Sequence, residues 1–136
     1  MRRQEWMSAS GQLLAVRLSF DDDDDGRENG TAAHEILQTA LIANNGEHPD
    51  RYAAHKHKLQ TRETIGTAEA WVVISGKVSV TIYDNFSNHI DTAVLYPGDV
   101  FIAFAGGHGY TVFPGARVVE LKNGPYNGRE ADKEMI

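Results

Sequence analysis

The stretch GKVSVTIYD (76–84) constrains the fold more than any other part of the sequence. Its apolar residues Val78, Val80 and Ile82 alternate with hydroxyl-bearing residues. Because successive side chains of a β-strand point to opposite faces of the sheet, this period of two predicts a half-buried strand. Such a strand needs neighbouring strands to pair with and a second layer that covers its apolar face.

Runs of similar character recur along most of the chain, separated by turn residues such as DNFSN (84–88) and PGD (97–99). The other predicted strands cover 12–20, 37–44, 51–59, 68–75, 89–96, 100–105, 106–113 and 117–123. Short strands with a turn every ~8–12 residues predict an all-β sandwich or barrel of the jelly-roll kind. ISGKV (74–78) is expected to form a tight hairpin turn.

The composition limits the classes of function. A chain of 136 residues predicts one domain, with a flexible N-terminal segment (1–12), an acidic loop (21–30) and a C-terminal tail (124–136). A net charge of −6 without a Lys/Arg cluster argues against nucleic-acid binding. No apolar run has the ~20 residues of a membrane span, and no signal peptide is recognisable. The absence of cysteine fits a reducing cytoplasm.

Four residues form the candidate site. His55 and His57 are two positions apart on a predicted strand, so both imidazoles would project from one face. Glu69 opens the next strand, and His108 lies between glycines in AGGHGY. Three imidazoles and one carboxylate could hold a divalent ion such as Fe, Mn, Ni, Co or Zn. The His55–His57 pair could equally be catalytic or simply polar residues on a solvated strand face.

Other polar residues have both a functional and a structural interpretation. Arg62 could bind a substrate phosphate or carboxylate, or pair with a nearby acid. Tyr110 could face the same cavity as a proton or hydrogen-bond donor, or pack in the core. Trp71 shares the strand face of Glu69 and would line the cavity wall. Alternate residues of the last strand, at 120 and 122, would form an ion pair, and the aspartate of PGD would fix its turn.

The motifs in HKH, in EAWVVISG and in PGDVFIAFAGGHGY resemble those of the cupin superfamily. The first cupin motif has an HxH pair, a Glu and, after six residues, a Gly; the second runs from a Pro-Gly-Asp turn to a histidine. The resemblance implies a double-stranded β-helix, with His55, His57, Glu69 and His108 as metal ligands. Residues 52–133 look closest to small single-domain bacterial cupins, which are often found beside surface-polysaccharide genes.

The chain also departs from this pattern. Eleven residues separate His57 from Glu69, where the general motif has three or four, so that Glu63 becomes a rival ligand. We prefer Glu69 because its spacing to Gly76 matches the motif. Phe104 replaces the usual proline of the second motif.

The resemblance leads to three expectations about function. The first is a metal-dependent enzyme, such as an isomerase, lyase or dioxygenase, that acts on a small polar molecule such as a sugar derivative. The second is a metal-free sugar-nucleotide isomerase or epimerase in which the HxH pair transfers protons. The third is a non-catalytic module that binds a sugar or a metal. A homodimer is also expected, with QLLAVRLSF (12–20) as the segment that is exchanged between the copies or pairs at the sheet edge.

Overall fold

A computed structural model of the chain describes residues 2–21, 27–28, 37–44 and 46–136. Almost all regular structure in these ranges is β. The strands are β1 (Arg2–Met7), β2 (Leu13–Ser19), β3 (Arg27–Glu28), β4 (Leu41–Ile42), β5 (Glu69–Ser75), β6 (Val78–Tyr83), β7 (His89–Leu95), β8 (Val100–Ala103), β9 (Gly107–Val112) and β10 (Arg117–Lys122). A four-residue helix, α1 (Arg129–Asp132), lies in the C-terminal tail.

The larger sheet has five antiparallel strands in the order β1-β2-β8-β5-β10. This strand order differs from two sequence expectations. The N-terminal segment predicted to be flexible contributes β1, and β2 lies inside the sheet between β1 and β8 rather than at its edge. The reason is visible in β2, where Leu14, Val16 and Leu18 are fully buried, as expected of a strand with neighbours on both sides.

The smaller sheet has three antiparallel strands in the order β7-β6-β9. The alternation that predicted β6 is confirmed, since Val78, Val80 and Ile82 are buried and the residues between them are half-buried. Two short strands, β3 and β4, form a separate two-residue ladder. The two larger antiparallel sheets make the protein consistent with a β-sandwich.

The main core lies between the two sheets. It joins apolar residues of β2, β5 and β8 to the buried face of β6. Aromatic rings extend through it, since Phe101 packs against Trp6 at 5.7 Å between ring centroids and against Tyr110 at 6.1 Å. A second cluster covers the outer face of the large sheet and includes Val16 and Ile102. Both faces of the central strands are therefore buried.

The predicted hairpin at 74–78 does not form. β5 belongs to the five-stranded sheet and β6 to the three-stranded sheet, so the chain crosses between the sheets at this point. Gly76 has φ of +72°, and a Cβ there would lie 2.6 Å from the Cα atom of Ala116. Both the backbone conformation and the close approach of another backbone require glycine at the crossing.

The predicted strand at 51–59 is also absent, because residues 49–65 form neither strand nor helix and are exposed. A strand here would carry His55 and His57 on one face and Lys56 and Lys58 on the other, so neither face is apolar enough to be buried. Of the strand predicted at 37–44, only β4 forms a ladder. Most of the acidic loop (21–30), including residues 22–26 and 29–30, lies outside the described residues.

The C-terminal tail returns to the sandwich after β10. Asn123 anchors its start, because its side chain accepts a hydrogen bond from the backbone N–H of Ala68 and donates one to the carbonyl of Gly66. The side chain of Ile136 lies against Gly107. Within the described ranges, no helix is long and apolar enough to cross a membrane.

Candidate functional site

Glu69 is the centre of the candidate site. It lies at the first position of β5, on the face that looks toward the smaller sheet, and is only 5% exposed. The register of the large sheet places Lys122 of β10 directly opposite it. Its Oε1 accepts a hydrogen bond of 2.8 Å from the indole Nε1 of Trp71, and its Oε2 lies 2.9 Å from Nζ of Lys122.

These contacts keep the buried carboxyl group ionised. Burial alone would raise the pKa of Glu69, but the hydrogen bonds from His108 and Lys122 outweigh it and hold the pKa well below its ordinary value. Burial likewise opposes the charge on Lys122, and the carboxylates of Glu69 and Glu120 overcome it and raise the pKa of the ammonium. The ion pair is therefore present at neutral pH, with the Glu120 oxygen 3.2 Å from Nζ.

His108 reaches this cluster from the other sheet. It lies on β9 opposite the buried Ile82, and its Nε2 is 3.3 Å from Oε1 of Glu69. Because a carboxylate can only accept, Nε2 carries the proton of this hydrogen bond and a neutral ring has its lone pair on Nδ1. Nδ1 is buried and has no hydrogen-bond partner among the described residues. His108 and Glu69, which the sequence suggested as ligands of one metal ion, are therefore in direct contact, and their role as ligands stays a prediction.

Tyr110 and Trp71 form an aromatic wall beside the carboxylate. Their rings stack at 3.5 Å between centroids with an angle of 7°, and the His108 ring lies 5.1 Å from that of Tyr110. The phenol oxygen Oη is buried and has no partner in the described part of the chain. Burial and then the nearby charges of Glu69 and Glu120 raise the pKa of Tyr110, so the hydroxyl keeps its proton.

Two buried polar atoms that have no partner in the described part of the chain, His108 Nδ1 and Tyr110 Oη, are the unusual feature of this cluster. Buried polar atoms in proteins are almost always hydrogen-bonded, because an unpaired one costs roughly 1–3 kcal/mol. One atom is a lone-pair acceptor in the neutral ring and the other can donate or accept. The pair is therefore suited to a small molecule that carries hydroxyl or carbonyl groups.

The other predicted site residues lie elsewhere. His55 and His57 are exposed on the irregular segment 49–65, with ring centroids 5.2 Å apart. The Nδ1 of His55 is 3.0 Å from the carbonyl oxygen of Ala53. Arg62 and Glu63 are exposed on the same segment.

The described residues do not form the predicted metal centre. Among residues 2–21, 27–28, 37–44 and 46–136, no three His, Asp or Glu side chains are placed to hold a metal ion. Glu69 and His108 supply one carboxylate and one imidazole, and the Lys122 ammonium occupies the other carboxylate oxygen. One carboxylate and one imidazole are too few to hold a divalent ion by themselves, and the four-ligand centre stays a prediction.

A cavity of about 300 Å³ lies on another part of the molecule, against β1, β2 and the turn before β8. Its polar groups already have partners: Arg2 pairs with Asp21, and Ser19 donates to the carboxylate of Asp99. Asp99 also accepts a 2.9 Å hydrogen bond from the backbone N–H of residue 96, which confirms its predicted role in the turn. The candidate site is assigned to the Glu69 cluster, in which His108 Nδ1 and Tyr110 Oη are buried and have no partner among the described residues.

The pairing of Lys122 with Glu69 was missed from the sequence. Lys122 was expected to pair only with Glu120, two positions away on the same strand. The missing information was the pairing of β10 with β5, which sets Lys122 opposite Glu69. Strand parity did predict that Trp71 would share the face of Glu69, and the 2.8 Å hydrogen bond between them confirms it.

Comparison with known proteins assigns no relative, since no family model, curated protein or solved structure matches this chain.

Proposed function

We propose that this protein is a cupin-type jelly roll that binds a small polar molecule, such as a sugar or sugar derivative, at the Glu69 cluster. The observation that carries the proposal is the pair of buried, unpartnered atoms, His108 Nδ1 and Tyr110 Oη. A ligand hydroxyl would donate to Nδ1 of His108, and a ligand carbonyl or hydroxyl oxygen would accept from Oη of Tyr110, which would recover the cost of burying both atoms. The Trp71–Tyr110 stack would supply the apolar wall that ligand sites usually have.

The same arrangement suits proton transfer. The carboxylate of Glu69 holds the Nε2–H of His108 at 3.3 Å and would stabilise an imidazolium. A ligand proton could then pass to Nδ1 of His108 and return to a different atom of the ligand, which is what an isomerase or epimerase requires. Tyr110, whose hydroxyl keeps its proton, would donate a hydrogen bond to a carbonyl oxygen on which negative charge develops.

Support for the cupin assignment comes from residues of both sequence motifs. Glu69 from the first motif and His108 from the second lie 3.3 Å apart, although 38 positions separate them in the numbering. The two antiparallel sheets are compatible with a jelly roll. The position of the HxH pair, outside any strand, gives no support.

Ligand binding is tested by thermal unfolding of the untagged protein with free hexoses, hexose phosphates and nucleoside-diphosphate hexoses. We expect at least one class to raise Tm, because a ligand that binds only the folded state stabilises it. The rise should be lost in His108→Gln and kept in His48→Gln, which changes an exposed histidine distant in sequence from the cluster. No stabilising class, or equal stabilisation of both variants, would contradict the proposal.

Catalysis is separated from binding by solvent exchange. The stabilising molecule is incubated with the protein in D₂O and followed by NMR. Deuterium incorporated at carbon in wild type and not in His108→Gln indicates proton transfer. Binding without exchange supports the non-catalytic module and contradicts an isomerase.

The metal-dependent form is a second proposal, favoured by one observation, the closeness of the exposed His55 and His57 rings. It is tested by elemental analysis of untagged protein from metal-replete growth. A stoichiometric ion lost in His55→Ala/His57→Ala and in His108→Ala supports a shared centre. Metal-free wild type, or an ion that His108→Ala retains, contradicts it.

A further inference from the structure

Among residues 2–21, 27–28, 37–44 and 46–136, strand β10 is an edge of the large sheet, because the order β1-β2-β8-β5-β10 gives it a hydrogen-bonded neighbour on one side only. Its outward-facing residues are apolar: Val119 is 45% exposed and Leu121 is 56% exposed. Exposed edge strands pair readily with another strand, and proteins usually protect them with charged side chains. The face of β10 that points away from the core has no such protection.

The opposite edge of the same sheet differs. β1 reads RRQEWM and β10 reads RVVELK, so both edge strands carry three charged residues. The face of β1 opposite the buried Trp6 carries Arg3 and Glu5, whereas the outward face of β10 carries Val119 and Leu121. Charged residues of this kind discourage strand pairing. The two edges are therefore not equivalent, and β10 is the one suited to association.

We propose that two copies of this chain associate through antiparallel pairing of β10 with β10, centred on Leu121. This register is self-complementary. A two-fold axis at Leu121 places Leu121 opposite its own copy, and places Glu120 of each chain opposite Lys122 of the other. Apolar and opposite-charge pairs across strands are both favourable.

Two other antiparallel registers would also join the two large sheets into one continuous sheet with both smaller sheets on the same side of it. Both are less favourable. Centring the axis on Val119 sets Glu120 against the apolar Val118, and centring it on Glu120 sets two carboxylates against each other. Like charges directly opposite one another destabilise a strand pair. Of these three registers, the one centred on Leu121 avoids both mismatches.

The pairing would also bring the two candidate sites near each other. Lys122, which contacts Glu69 at 2.9 Å and Glu120 at 3.2 Å within one chain, would face Glu120 of the second copy. This inference does not depend on ligand binding, because it rests on the edge and its residues alone. It assigns the expected homodimer to β10 instead of the segment 12–20.

Sedimentation velocity from about 10 to about 500 µM tests the association, a range chosen because a strand pair of this length is a small interface. We expect a dimer in wild type. Leu121→Lys sets two ammonium groups opposite each other and should weaken it at least ~10-fold. Ile74→Lys is the matched control, since Ile74 is equally exposed at 56% but lies on β5, one strand further in.

Cross-linking gives a second, independent readout, because the chain has no cysteine. In the proposed register, cysteines at position 121 lie ~5 Å apart, whereas cysteines at position 74 lie more than ~20 Å apart. A short thiol-specific cross-linker should join Leu121→Cys and leave Ile74→Cys monomeric. Monomeric wild type without cross-linking overturns the proposal. A dimer that both Leu121→Lys and Ile74→Lys weaken also overturns it, because that result would indicate packing of sheet faces. A dimer that neither variant weakens overturns it as well.

Discussion

Removing the hydroxyl of Tyr110 should make the ligand-free protein more stable. Its Oη is buried without a partner among the described residues, while the ring stacks on Trp71 at 3.5 Å and meets Phe101 edge-on at 6.1 Å. Tyr110→Phe keeps both ring contacts and removes only the unpaired oxygen. Leaving such a group buried costs roughly 1–3 kcal/mol, so we expect a gain in the free energy of unfolding of about 1 kcal/mol.

The gain is measurable by urea unfolding at neutral pH and corresponds to a rise in Tm of roughly 3–5 °C for a chain of this size. Tyr96→Phe is the control, because Tyr96 is 57% exposed and its hydroxyl can reach water. This control should change stability by less than ~0.5 kcal/mol. A loss of stability in Tyr110→Phe would refute the reasoning, since it would mean that Oη makes a hydrogen bond in the folded protein.

Three further predictions concern the ion pair and the backbone around it. Glu69→Gln and Lys122→Met should each destabilise the protein, and a double-mutant cycle by urea unfolding should give a coupling free energy of about 1–2 kcal/mol. If the effects of the two variants are additive within ~0.5 kcal/mol, the Glu69–Lys122 ion pair does not stabilise the protein. Because the pKa of Glu69 in the folded protein lies below 4.5, its carboxylate contributes to the free energy of unfolding above pH 4.5, and this contribution is lost as the pH falls below that value. The decline in stability at acidic pH should therefore be smaller in Glu69→Gln than in wild type. Gly106→Ala should lower the free energy of unfolding by more than ~2 kcal/mol, because Gly106 has φ of +70° and a Cβ there would clash with the backbone carbonyl of Tyr83. The control Gly109→Ala has open space around its Cβ position and should lower it by less than ~1 kcal/mol. Equal losses in the two variants would contradict this account of Gly106.

The strands that form the sandwich were predictable where one face is apolar and the other polar. Each prediction from residue 68 onward corresponds to a strand, β5 to β10. Those strands bury one face against the other sheet, so the alternation in the sequence reflects their environment. Where both faces are exposed, as at 51–59, the alternation had no such cause and the prediction failed.

The sheet in which each strand lies could not be read from the sequence. Strand pairing depends on contacts between distant residues, and a short connection such as 75–77 is compatible with both a hairpin and a crossing between sheets. The same limit applied to the candidate site. The cupin motifs put Glu69 and His108 in one candidate site and the two side chains lie 3.3 Å apart, whereas the contact of Glu69 with Lys122 required the register of β5 and β10.

The most direct test of the proposed site measures ligand affinity in Tyr110→Phe. With the sugar class that stabilises wild type in thermal unfolding, isothermal titration should show binding weakened about 10-fold in this variant, the loss expected for one hydrogen bond. Tyr96→Phe should bind as wild type does. A variant that is more stable without ligand and weaker in binding is the predicted result, and unchanged affinity in Tyr110→Phe and in His108→Gln would contradict a ligand site at this cluster.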